Sequence, residues 1–130
     1  MSAFLTALRK MPHFTCKGSA TNEEISLAEE ELGLKFAQEY RDYLAECGFA
    51  SCLGHEFTGI CTSKRLSVVE TTRSEREKNV QVMNNMYVIE QTNMDGIIIW
   101  QDSSGTVFQT SPGKQPIQLC KSLEEYMRMY

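Results

Sequence analysis

Between Thr21 and Gly48 the chain specifies two helices with almost no loop between them. Thr21 is suited to an N-cap, and Glu24 supplies the acidic partner of a capping box. Ile25, Ala28 and Leu32 follow at helical spacing, which predicts a helix over 22–32 stopped by Gly33. Phe36, Tyr40, Tyr43, Leu44 and Cys47 then form a second apolar stripe, predicting a helix over 37–47 that ends at Gly48. A link this short makes the two helices packing neighbours.

One charged residue breaks the first stripe. At about 100° per residue, Glu29 falls between Ile25 and Leu32 and should point inward. A buried carboxylate needs donors, and the free N–H groups opening the second helix, around Ala37 and Gln38, are the nearest. Glu29 is therefore expected to tie the two helices together. Glu23, Glu30 and Glu31 lie on or near the outward face of the first helix, with Gln38 and Asp42 outward on the second. Such a surface serves either solubility or electrostatic docking of a basic partner, and the residue pattern is common to both. The stretch from Glu23 to Glu46 is strongly acidic, whereas Lys64, Arg65, Arg73, Arg76 and Lys78 make 64–78 lean basic, so a polarised molecule is expected.

The rest of the sequence completes an α+β pattern. Phe4, Leu5 and Leu8 predict a short helix over 2–10, ended by Pro12. Residues 49–61 read as a loop leading into a short strand near 57–60, and 66–78 as a third helix. Segments 86–91, 96–101 and 106–110 are rich in β-branched and aromatic residues, and Asp102-Ser103-Ser104-Gly105 forms a hairpin turn between the last two. Residues 116–120 add a fourth strand, and Ser122 with Glu125 is a second capping box opening a helix over 123–129. Strands grouped after helices favour α+β over a doubly wound fold. A chain of 130 residues suits one domain, with 1–18 as N-terminal helix and linker and 19–130 as the core.

Chemistry-bearing patterns are sparse. His13-x-x-Cys16 and Cys52-x-x-His55 have metal-like spacing but sit in no recognisable knuckle, so neither a metal nor any cofactor is expected. No glycine-rich phosphate loop, dinucleotide fingerprint or nucleophile elbow is present, and no catalytic residue is assigned. A net charge of −4 argues against nucleic-acid binding. The longest apolar run, Ile97 to Trp100, is far short of the about 20 residues that cross a membrane. Arg9 and Lys10 follow the first apolar stretch, the reverse of a secretory signal, so a cytoplasmic protein is expected. The odd count of five cysteines then points to reduced thiols and away from a disulfide framework. Trp100 alternates with Ile97 and Ile99, and serves either as core or, on an open sheet face, as a binding anchor.

The order of these features resembles the SUKH superfamily. The likeness is carried by Asn22-Glu23-Glu24-Ile25, Ala28-Glu29, Glu31-Leu32-Gly33-Leu34 and Glu39-Tyr40-Arg41-Asp42-Tyr43-Leu44. Phe57-Thr58-Gly59-Ile60, Ser67 to Arg73, Tyr87-Val88-Ile89, Asp102 to Val107 and Ser122 to Tyr126 extend it over nearly the whole chain after residue 19. It is most similar to YobK-like antitoxins and the domain of the yeast cell-wall assembly regulator. Two positions depart from the family pattern: Ala37 stands where a proline is common, and Cys47-Gly48-Phe49 replaces an Asn-Gly pair.

The resemblance implies a single SUKH-like domain, a mixed, mostly antiparallel sheet flanked by helices, without catalysis. It implies an immunity protein that binds a bacterial toxin domain, such as a nuclease, and neutralises it stoichiometrically. The alternative is an intracellular regulatory or scaffold domain with no toxin partner. The expected partner-facing residues are Glu23, Glu30, Glu31, Asp42, Glu46 and Trp100; Glu29, Gly33, Tyr40, Gly59 and Gly105 are expected to be structural.

Overall fold

The computed structural model describes residues 3–129, so Met1, Ser2 and Tyr130, which the expected domain and first helix include, lie outside the described residues. Helix α1 (Ala3–Arg9) buries Phe4, Leu5 and Leu8. A short strand β1 (Thr15–Lys17) precedes α2 (Asn22–Leu32) and α3 (Gln38–Glu46). Thr21 and Glu24 form the capping box, with Thr21 Oγ1 accepting from the Glu24 N–H at 3.1 Å and Glu24 Oε1 from the Thr21 N–H at 2.9 Å. Gly33 ends α2 in the left-handed conformation, at φ 68°.

Next come β2 (Phe49–Cys52), β3 (His55–Glu56) and α4 (Val68–Lys78), whose N-cap is Ser67. The chain finishes as β4 (Met86–Gln91), β5 (Ile98–Asp102), β6 (Val107–Thr110), β7 (Ile117–Cys120) and α5 (Leu123–Arg128). Ser122 caps α5, and Glu125 reaches one residue further back than in a standard box, accepting from the Lys121 N–H at 3.0 Å.

The fold class is α+β, but the strands form two antiparallel sheets instead of one mixed sheet: β1-β2-β3 and the meander β4-β5-β6-β7. The strand expected near 57–60 is absent. Phe57 donates to Ala50 O, Thr58 to Ile89 O, Gly59 to Leu66 O and Ile60 to Gly48 O. Four successive N–H groups thus reach three different segments, 48–50, Leu66 and β4, so no continuous ladder builds. Among the described residues, parallel pairing is confined to an isolated bridge, Gly59 to Ser67.

The main core lies between the helices and one face of the meander, drawing in Tyr87, Ile89, Ile99 and Val107. Met86, Val88, Ile98 and Trp100 alternate to the other face and form a smaller cluster. Strand β4 is an edge, and its backbone is covered instead of left open. Thr72 Oγ1 accepts from the Val88 N–H at 3.0 Å, and Thr58 Oγ1 donates to Val88 O at 2.7 Å. Side chains thus occupy sites that another strand would otherwise fill.

The expectation of reduced thiols fails for one pair. Pairing of β1 with β2 sets Cys16 opposite Ala50, and Cys16 is disulfide-bonded to Cys47 with Cα atoms 5.4 Å apart. A sequence separation of 31 residues concealed this proximity. Cys52, Cys61 and Cys120 are free.

Reducing the Cys16–Cys47 bond should lower the unfolding free energy by roughly 2–4 kcal/mol, because it frees a long loop in the unfolded chain. Denaturation with and without dithiothreitol measures this, with Cys16→Ser expected to remove the difference and Cys61→Ser to preserve it. Gly59→Ala is a sharper test of packing. A Cβ at Gly59 would stand 1.8 Å from Gly48 O, against backbone that cannot swing away. A loss of at least about 2 kcal/mol is expected in urea denaturation; a midpoint within error of wild type would refute this packing.

Candidate partner-binding surface

The α2–α3 pair is fastened by Glu29, which is 2 % exposed. Its Oε2 accepts from the Phe36 N–H at 2.8 Å and its Oε1 from Arg41 Nη1 at 2.6 Å. These donors differ from those expected at Ala37 and Gln38. The Ala37 N–H is instead bound by the Tyr87 hydroxyl at 2.9 Å, which anchors the start of α3 to β4.

Glu39 has a role the sequence did not suggest. Its carboxylate accepts from the Leu123 and Glu124 N–H groups at 2.7 and 3.1 Å, and from Gln101 Nε2 at 2.9 Å. It satisfies the open amides of the α5 N-terminus and binds the β5 side chain that also holds Tyr87. No local pattern signals a partner 84 residues away. Tyr40 and Tyr43 are buried against the same interior, their hydroxyls 2.9 Å from Thr58 Oγ1 and Thr58 O.

The expected partner-facing residues divide. Glu23, Glu30 and Glu46 are exposed, and Asp42 is half-buried, accepting from Gln38 Nε2 at 2.8 Å. Glu31 is exposed but lies 3.7 Å from Arg73 of α4. Arg76 of the same helix donates to Leu32 O. The basic segment therefore packs beside the acidic one, and the two do not form opposite poles. Trp100 is 0 % exposed, and its Nε1 donates to Thr110 Oγ1 at 2.9 Å. It is a core residue of the smaller cluster, with no surface to present to a partner. Leu27 is 54 % exposed on the outward side of α2, a position off the apolar stripe that spacing alone makes legible.

The interior holds one dense group of titratable side chains. A β-bulge between Val88 and Glu90 sets Glu90 opposite Ile99, turning a carboxylate into the core. His55 Nδ1 lies 2.9 Å from Glu90 Oε1, and the Tyr126 hydroxyl donates to the same oxygen. The His55 ring stacks on Phe57 at 5.5 Å. Cys52 faces His55 across the β2–β3 hairpin, but burial and the nearby Glu90 charge push its thiol above the ordinary value. A thiol so perturbed stays protonated at neutral pH, opposite to what activates a cysteine nucleophile. Burial also raises the Cys61 and Cys120 thiols, and the hydroxyls of Tyr40, Tyr43 and Tyr87. Cys16, half of one metal-like pair, is held in the disulfide, and no group of three or more His, Cys, Asp or Glu among the described residues is placed to hold a metal. No helix among them is long and apolar enough to cross a membrane.

The geometry is that of a braced helical pair whose buried carboxylate Glu29 and tyrosine hydroxyls are hydrogen-bonded, with an acidic, partly apolar exterior. The SUKH_5 family model, described as SMI1-KNR4 cell-wall, matches residues 2–129. The chain belongs to the SUKH superfamily. No curated protein matches it. In SUKH terms the braced pair α2–α3 is the element that carried the sequence likeness, and the family is one of protein-binding domains.

Glu29→Gln should destabilise this SUKH domain by about 1–3 kcal/mol, since one carboxylate oxygen becomes an amide donor facing Arg41. Thermal and urea denaturation would reveal it. Lys35→Ala should change little, because Lys35 is largely exposed and 4.0 Å from Glu29.

Proposed function

We propose that this SUKH domain is an immunity protein that neutralises a toxin domain by stoichiometric binding. The reading is supported by membership of a protein-binding family together with the outward carboxylates Glu23, Glu30, Asp42 and Glu46 on two helices that are locked together from within. Rigid, pre-positioned charge favours fast and selective association with a basic surface, such as the active site of a nuclease. Neutralisation on this reading needs no chemistry from the immunity protein: occupying or distorting the toxin's site suffices. The proposed setting is the cytoplasm, where the Cys16–Cys47 bond of the structure would be an exception to the usual reduced state of thiols.

A second reading has its own support. The description of the matching family refers to the cell wall, which favours a regulatory or scaffold domain without a toxin. The two diverge in one experiment. Where a toxin gene lies beside this one, co-expression should restore growth, and reversing Glu23, Glu30, Asp42 and Glu46 to lysine together should slow association by about tenfold or more at low salt. Absence of any toxin gene, with stable co-purification of a wall-assembly complex, would favour the second reading. Protection undiminished by the fourfold reversal would remove the electrostatic part of the first.

A further inference from the structure

Between α2, α4 and the segment 59–67 runs an open groove of about 370 Å³. Its apolar lining is formed by Leu27, Ala28, Ile60 and Val69. Its charged lining is Glu24, Glu31 and Glu70 with a single lysine, Lys64. Leu27 is 54 % exposed, on a helix whose other exposed residues are polar or charged. Among the described residues the Glu70 carboxylate has no ion pair or hydrogen bond, whereas Glu24 is engaged in the capping box and Glu31 lies 3.7 Å from Arg73. An exposed leucine beside an unpaired carboxylate is the arrangement of a small anchoring pocket with a charged edge.

Two cavities of similar size elsewhere lack the unpaired carboxylate beside an exposed leucine. One beside the β2–β3 hairpin, about 390 Å³, is bordered by His13, Leu53, His55, Glu56, Glu90 and Asn93. Another, about 430 Å³, is bordered by Glu75, Lys78, Asn79, Gln91 and Asn93 beside Ile97 and Ile98. The first also holds an exposed leucine, Leu53, but its carboxylates are engaged, Glu56 by Arg65 and Glu90 by His55 and Tyr126. In the second, Glu75 is bound by Gln91 and lies 3.6 Å from Lys78.

We propose that the α2–α4 groove is a docking site for a basic segment of the toxin, one that places an aliphatic side chain against Leu27 and Ile60 and flanking Lys or Arg at Glu70 and Glu31. This rests on the immunity reading for the identity of the partner, and on the groove alone for its chemistry. Glu24, Glu31 and Glu70 outnumber Lys64 and the Arg73 beside Glu31, and the net negative charge disfavours acidic segments and nucleic acid. The apolar lining disfavours a purely polar basic segment. The groove also gives a role to Leu27 that neither core packing nor solubility requires.

The test uses the intact protein, uniformly labelled with nitrogen-15, and the acetylated, amidated peptide Lys-Leu-Arg-Leu-Lys. Saturable amide shifts should cluster at residues 27–31, 60–64 and 69–70. They should weaken as salt is raised. The peptides Lys-Ser-Arg-Ser-Lys and Glu-Leu-Glu-Leu-Glu should bind at least roughly tenfold more weakly, as should the leucine peptide to Leu27→Ser or Glu70→Lys. Both substitutions are at exposed side chains, and an unchanged spectrum elsewhere would confirm that each variant is folded. Shifts centred on another face, no saturation, or equal affinity in both variants would overturn the proposal. Co-expression separates it from the immunity reading. If wild type protects and both variants protect equally well, the groove is wrong and the immunity reading stands. If no toxin is neutralised but the peptide saturates the groove as described, the groove stands and the toxin is not its occupant.

Discussion

The hydroxyls of Tyr40, Tyr43 and Tyr87 end inside the protein, and each is hydrogen-bonded to a segment outside its own helix or strand. Tyr40 and Tyr43 meet Thr58, Tyr43 also receives the Ala50 N–H, and Tyr87 bridges Ala37 and Gln101. Leaving such a group buried and unpaired costs about 1–3 kcal/mol, so the partners are held in place as firmly as the rings. Glu39 extends the network to the start of α5, and Glu29 closes it toward α2. The constraint on this fold is polar satisfaction around α3. Apolar packing supplies the bulk of the driving force, but these contacts decide which segments meet.

Thr58 shows how much one residue can join. Its side chain meets Tyr40 and Val88, its carbonyl accepts from Tyr43, and its N–H reaches Ile89. It links α3 to the edge of the four-stranded meander while lying in neither sheet. The near contact of Gly59 with Gly48 follows from this position, because the chain leaving Thr58 passes directly over the turn after α3. An edge strand, two glycines and a threonine thus form one mechanical joint.

Local signals were legible where local chemistry decides structure. The capping box at Thr21, the left-handed Gly33, the Ser122 cap and the boundaries of β4 follow from a few adjacent residues. Inward placement of Glu29 also followed from angular position, though its donors lay at Phe36 and Arg41. What escaped was set by tertiary proximity. Strand β1 is three residues long and exists only because β2 lies beside it. The same pairing made the Cys16–Cys47 bond, and the division into two sheets arose when the chain after Glu56 distributed its hydrogen bonds among separate segments. Trp100 was ambiguous until the second face of the meander proved to be filled, with Val82 and Phe108 packed against its cluster.

Helix α2 has two faces with separate duties. Ile25, Ala28, Glu29 and Leu32 are bound up in the interior, where a change would disturb several segments at once. Glu23, Leu27 and Glu30 lie outside that network and answer to little within the molecule. Selection can therefore rewrite the outer face without renegotiating the inner one. A lineage carrying such a helix can follow a changing adversary or acquire a new associate by a few surface substitutions, while its architecture persists after obvious sequence likeness has eroded.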